Sequence, residues 1–198
     1  MTASAAQQAR GSRLLSVMCL FMACVLPSAP LHAGEAEGRP VAEGASHFRA
    51  VMLATHNAER IAQGVAPLVW SEALAADAAQ SAAHLAQQPD PVAAHGKTGD
   101  SGSHGENMWA GTRGAYAFEE MTGSWLEERA LYLDGPVPEI SRSGNWADVG
   151  HYSQIIWAGT RRIGCALAVN AEVDVLVCRY DPAGNIYGHH ARADYARR

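Results

Sequence analysis

Lysine is nearly missing from this chain: Lys97 is the single one in 198 residues, and Lys plus Arg total 15 against 20 Asp plus Glu, a net charge of −5. A chain with no basic excess has no electrostatic footprint for nucleic acid or for anionic membrane surfaces, and both are excluded as partners. Several motifs are also absent. No HExxH pair puts two metal ligands on one helix, and no nucleophile-elbow glycine pattern surrounds Ser153. The glycine-rich loop at 96–105 has no lysine after its last glycine, and Glu106 there would repel a phosphate. No internal repeat, heptad array or low-complexity tract is present, and after residue 33 no apolar run approaches the ~20 residues that span a bilayer.

The apolar run that does exist lies at the start. Arg10 and Arg13 form a positive region, Leu14 to Leu26 is apolar, and Leu31-His32-Ala33 offers a cleavage site. Residues 1–33 read as an export signal cleaved near Ala33, giving a secreted or periplasmic protein. Cys24 after Ala23 is the alternative, a lipoprotein anchor. Loss of residues 1–33 removes two arginines and no acid, leaving 13 basic against 20 acidic residues, a net −7. Of the four cysteines, Cys19 and Cys24 leave with the leader. Cys165 and Cys178 are then an even pair in an exported chain, and a disulfide between them is expected. Direct opposition in a hairpin requires a turn centred between Ala171 and Glu172. The dominance of arginine and alanine suggests a bacterial source.

In chain order, residues 34–46 are small and polar and read as a flexible lead-in. Val51, Ala54, Ala58, Ile61 and Val65 recur at helical spacing, ended by Gly64 and Pro67. On that helix His56 and Arg60 read equally well as one polar stripe or as functional groups. Ser71 caps a second helix with buried Leu74, Ala78, Ala82 and Leu85, stopped by Pro89-Asp90-Pro91. Gly105-Glu106-Asn107-Met108-Trp109-Ala110 enters a strand. A helix over 115–131 places Phe118, Met121, Trp125 and Glu128 within about 80° of arc. A carboxylate on such a stripe needs a partner, because burying it unpaired costs several kcal/mol. Glu127 projects to the other side. Residues 133–146 are an irregular connection. A helix capped by Asp148 holds His151 in its first turn, on one face with Gln154 and Ile155, where the helix dipole keeps the imidazole neutral. Two strands, around Ile163 to Val169 and Val173 to Tyr180, complete an α+β domain. The tail from His189 to residue 198 reads as mobile, with His189-His190 a weak metal trap.

Gly150-His151-Tyr152-Ser153-Gln154-Ile155-Ile156-Trp157-Ala158-Gly159-Thr160 resembles, position for position, a signature of the CAP superfamily: cysteine-rich secretory proteins, antigen 5 allergens and plant pathogenesis-related proteins. Val175-Leu176-Val177-Cys178-Arg179-Tyr180-Asp181-Pro182-Ala183-Gly184-Asn185-Ile186 resembles the second signature, in the family's order. His56-Asn57-Ala58-Glu59-Arg60 and Gly105-Glu106-Asn107 also look like family segments. The resemblance covers residues 47–188. It implies a three-layer α-β-α sandwich with a small antiparallel sheet, and a cleft where two histidines and two glutamates converge. Those positions match His95, Glu106, Glu128 and His151. The spacing of tryptophan then glutamate selects Glu128 again, and His104 is the reserve for His95.

Imidazole nitrogen and carboxylate oxygen suit zinc or another divalent cation. A metal-free quartet, each carboxylate orienting one imidazole, is equally consistent. The resemblance implies an exported binding protein whose cleft takes a divalent metal, a lipid- or sterol-like ligand or both, with an extracellular partner also compatible. The alternative is a metal-dependent hydrolase of peptide or ester bonds.

Overall fold

The computed structural model describes residues 39–95 and 104–193. The leader with Cys19 and Cys24 lies outside the described residues, as does Lys97.

Helix α1 (Arg39–Ala62) begins inside the stretch expected as a lead-in. Its buried face is not the apolar stripe expected from the spacing. Val51, Met52, His56 and Arg60 are buried, whereas Ala54 and Ala58 are exposed and Ile61 is 65% exposed. The reason is hydrogen bonding. Arg60 donates to the carbonyls of Ala66, Ile155, Trp157 and Thr160, at 2.7, 2.7, 2.9 and 2.9 Å. His56 bonds the Met52 carbonyl at 2.7 Å and the Tyr180 hydroxyl at 2.8 Å. Buried polar groups so satisfied displace apolar ones from the core face.

Strand β1 (Val69–Trp70) leads into α2 (Glu72–Leu85), where Ser71 caps by accepting from Leu74 N–H at 3.4 Å. Leu74, Ala78, Ala82 and Leu85 are buried, as the spacing predicts. Short side chains let α2 lie close on the sheet. At Gly164 a Cβ would come within 2.2 Å of the Ala75 backbone nitrogen, so only glycine fits there. Asp90 caps the single turn α3 (Pro91–Ala94). Then follow β2 (Gly105–Thr112), α4 (Phe118–Glu127) with a 3-10 turn at Glu128–Ala130, α5 (Gly150–Ile155), β3 (Arg162–Val169) and β4 (Val173–Asp181).

The sheet order is β1-β3-β4-β2. β4 is antiparallel to both its neighbours, β3 and β2, but β1 pairs parallel to β3, so the sheet is mixed rather than purely antiparallel. One face packs Ile163, Cys165, Leu176, Cys178 and Tyr180 with Met52, Trp125 and Ile155 from α1, α4 and α5. The other packs Met108, Val175 and Val177 against the alanines of α2. This is the three-layer α-β-α sandwich. Cys165 stands opposite Cys178 and is bonded to it. The hairpin turn is held by Asn170, whose side-chain Oδ1 accepts from Glu172 and Val173 N–H. Its amide donates to the Ala86 carbonyl at 2.6 Å, tying the turn to the end of α2.

The expected mobile tail is corrected for residues 189–193. His189 C=O accepts from Val137 N–H at 3.0 Å, and Ala191, fully buried, accepts from Ala158 N–H at 2.6 Å. Among the described residues no helix is long and apolar enough to cross a membrane.

Candidate functional site

A cleft of about 650 Å³ opens across the edge strand β2, between α3 on one side and α4 and α5 on the other. His95, Glu128 and His151 line it, with Met108, Trp109 and Trp125 as apolar wall. Each histidine reaches it from a different element. His95 ends α3 as its C-cap. Glu106 lies near the start of β2, Glu128 ends α4, and His151 sits on α5.

The four expected residues form two pairs. His151 Nδ1 lies 2.6 Å from Glu128 Oε1, and the second Glu128 oxygen accepts from Tyr152 N–H at 3.0 Å. The ring stacks on Trp125, centroids 5.9 Å apart and 19° between planes. Asn107 fixes the same segment by donating to the His151 carbonyl at 3.1 Å and to the Tyr180 hydroxyl at 3.1 Å. His95 Nε2 lies 3.1 Å from Glu106 Oε1. Glu106 Oε2 in turn meets the buried Arg179 guanidinium at 3.1 Å, which also donates to Ser81 Oγ at 2.5 Å. Burial lowers the pKa of His95, and the neighbouring His151 and Arg179 push it the same way against the pull of Glu106.

These contacts distinguish the ring nitrogens. The Glu128 carboxylate accepts, so His151 donates from Nδ1 and its Nε2 is the nitrogen left for another partner. His95 Nε2 stands at ion-pair distance from Glu106, which leaves Nδ1 as the nitrogen turned from the carboxylate. The glutamates are therefore placed as partners that orient the imidazoles, the arrangement common behind metal-bound histidines. Among the described residues no group of three or more His, Cys, Asp or Glu side chains stands in metal-holding geometry.

His104 is elsewhere: its Nδ1 lies 3.3 Å from Asp77 Oδ2 of α2, and it does not line the cleft. Glu127 is exposed, on the far side of the turn from Glu128. Asp148 does not cap α5. Its carboxylate accepts from Ser143 Oγ and Asn145 Nδ2 within a 3-10 turn, Trp146–Val149, and Val149 precedes the helix. A six-residue helix has little dipole to offer, so Glu128 rather than the helix end holds His151. Gln154 and Ile155 are buried behind the histidine and leave the cleft to it. Gln154 accepts from Gly184 N–H at 2.8 Å and fills the space a side chain at Gly105 or Gly184 would need. Arg179 is the site-supporting residue that the sequence reading left without a role. The signal was present, an arginine inside a β-branched apolar strand.

The sequence model of the Cysteine-rich secretory protein family, CAP, matches residues 53–180. Pathogenesis-related protein 1C of Nicotiana tabacum is 31% identical over 139 residues, 69% of this chain and 76% of that protein. Among solved structures, Na-ASP-1 superposes with a TM-score of 0.56 at 22% identity, over 72% of this chain and 40% of that one. NaASP2 with Zn2+ gives 0.58 at 19% identity, over 73% and 84%.

Proposed function

Since the chain belongs to the CAP, or cysteine-rich secretory protein, family, we propose that it is an exported binding protein whose cleft takes a divalent metal through His95 and His151. The observation that carries this reading is the pairing of each imidazole with its own glutamate on a shared cleft. That pairing commits one nitrogen of each ring to a carboxylate and leaves the other for a ligand.

Two imidazoles make an incomplete sphere for zinc, so water or a ligand would fill the rest, the pattern of an open site rather than a closed structural one. When bound, the ion would supply a Lewis-acidic position for an anionic group of a ligand. NaASP2 was solved with Zn2+; zinc is extended to this chain on its own imidazoles. Trp109, Trp125 and Met108 give the cleft an apolar wall, suited to a lipid- or sterol-like body. A hydrolase would need a carboxylate placed as general base. Here Glu106 is shared by His95 and Arg179, and Glu128 by His151 and Tyr152 N–H, which favours binding over hydrolysis. The bonded Cys165–Cys178 pair favours an oxidising compartment.

The test is calorimetric titration of zinc into the disulfide-intact protein and into His95→Ala and His151→Ala. Saturable heat in the parent, with affinity at least about tenfold weaker in each variant, is the expected result. Equal heats in all three would leave the four residues a hydrogen-bonded quartet and overturn the metal reading.

A further inference from the structure

Strand β2 is an edge of the sheet, paired to β4 alone, and its free side forms part of the cleft. In an antiparallel pair, backbone N–H and C=O groups alternate between the two sides of the strand. Cys165 and Cys178 face each other with Cα atoms 4.1 Å apart, the short spacing of a pair without mutual backbone bonds. The Cys178 main-chain groups therefore point away from β3 and toward its β2 partner Asn107.

Odd-numbered residues of β2 thus bond β4, and the even-numbered ones present their main chain to the cleft. Two contacts agree with this phase. Arg113 N–H donates to the Glu172 carbonyl at 2.9 Å on the β4 side, and the Met108 carbonyl receives the Trp125 indole N–H at 3.3 Å on the free side. Two residues past Met108, Ala110 has both its N–H and its C=O on the free edge. Among the described residues neither has a partner.

A half-buried main-chain donor and acceptor side by side select their ligand. A lipid tail or sterol ring has nothing to offer them, and leaving them unpaired beneath such a ligand is costly. An extended peptide offers N–H and C=O at the same repeat. Charge narrows the choice further. Among the described residues Glu128 is the only acid lining the cleft and no Lys or Arg lines it, while Trp109 and Trp125 line it too. A carboxylate beside indole rings suits a cationic side chain.

We infer that the cleft docks an extended peptide that adds as a strand to the free edge of β2 at Ala110 and presents a lysine or arginine to Glu128. This rests on the cleft being the binding site, and it does not need the metal.

The probe is an acetyl- and amide-capped Val-Lys-Val-Lys-Val peptide, titrated into the disulfide-intact protein beside its fully N-methylated counterpart and an Asp-for-Lys version. Saturable binding of the first is expected, with at least about tenfold loss on N-methylation, the worth of one to two hydrogen bonds. The Asp version should bind more weakly. Ala110→Pro removes the outward N–H while sparing the ladder to β4, as proline is tolerated on edge strands. It should lose the peptide to the same degree and keep its zinc heats. Equal binding of the N-methylated peptide overturns the proposal, as does no saturation of the parent peptide into the millimolar range. If Ala110→Pro does not fold, the N-methylated peptide against the parent protein still decides. Zinc heats that persist while the peptide fails sink only this inference. A peptide that binds where zinc does not sinks only the metal reading.

Discussion

Helix α1 and the cleft both carry histidine, and the fold treats the two differently. On α1, His56 and Arg60 are buried to 1% and 0% exposure, and among the described residues neither has a carboxylate partner. They hold the Tyr180 hydroxyl and main-chain carbonyls, and burial pushes their pKa values down to about 4 and about 10. In the cleft, His95 and His151 keep part of their surface, and each is held by a glutamate. A side chain whose partners are carbonyls of several elements joins those elements together. A ring held through one nitrogen by a carboxylate at a cavity wall has its second nitrogen for a ligand. Partner chemistry, more than residue type, separates scaffold from site.

The sharpest test of that contrast is Arg60→Met. It removes the guanidinium from the carbonyls of the buried Ile155, Trp157 and Thr160, of which Trp157 keeps the Thr160 N–H, and from that of the exposed Ala66. The expected loss is about 3–5 kcal/mol of unfolding free energy, the range for breaking a buried charged network. His151→Ala, at the cleft wall, should cost about 1 kcal/mol or less. Urea denaturation of both variants measures the gap. An Arg60→Met protein as stable as His151→Ala would break the distinction between the two regions.

This contrast also marks how far the sequence could be read. Helix α2 was legible in full, because its cap and its i, i+4 alanine-leucine stripe depend on local rules alone. So was the Cys165–Cys178 register, which follows from an even hairpin. The buried face of α1 was misread, since hydrophobic periodicity cannot see that an arginine will find three carbonyls about a hundred residues away. The site histidines were placed by motif and spacing. Arg179 behind Glu106, and the division into two His–Glu pairs, depend on strand register and on the C-cap position of Glu128. Both are tertiary facts without a local pattern. Asp148 failed as a cap because a 3-10 turn claimed it first.

Acid should act on α1 before it exposes the rest of the core. His56 titrates near 4 when folded and near 6.5 when unfolded. Between those values the unfolded chain binds the proton and the folded one does not, so stability falls as pH drops through this window. Above it the group is neutral in both states and contributes no pH dependence. The slope is about 1.4 kcal/mol per pH unit for one proton. His95, whose pKa is also lowered, adds a loss of the same sign. Stability curves of the parent and His56→Gln at pH 7, 6 and 5 isolate the α1 contribution. The variant should start lower and fall less steeply, and parallel curves would show that His56 does not carry the acid sensitivity.

The finest distinction is between neighbours at the end of α4. Glu128 accepts from His151 and from Tyr152 N–H, whereas Glu127 is exposed. Glu128→Ala removes both acceptors, which at a partly exposed position is worth about 1–2 kcal/mol. It also releases the His151 ring to turn, so zinc affinity should drop by about tenfold or more, as for other partners behind metal-bound histidines. Glu127→Ala should stay within about 0.5 kcal/mol and leave zinc unchanged. Glu128→Gln separates the two parts of the effect. Its amide oxygen can still accept one hydrogen bond, so thermal stability should recover in part, while the loss of charge keeps zinc affinity low. Melts and zinc titrations of the three variants together check this. Equal shifts for Glu127→Ala and Glu128→Ala would mean that the turn after α4 is not the element that orients His151, and the cleft would lose its asymmetry with the core pair on α1.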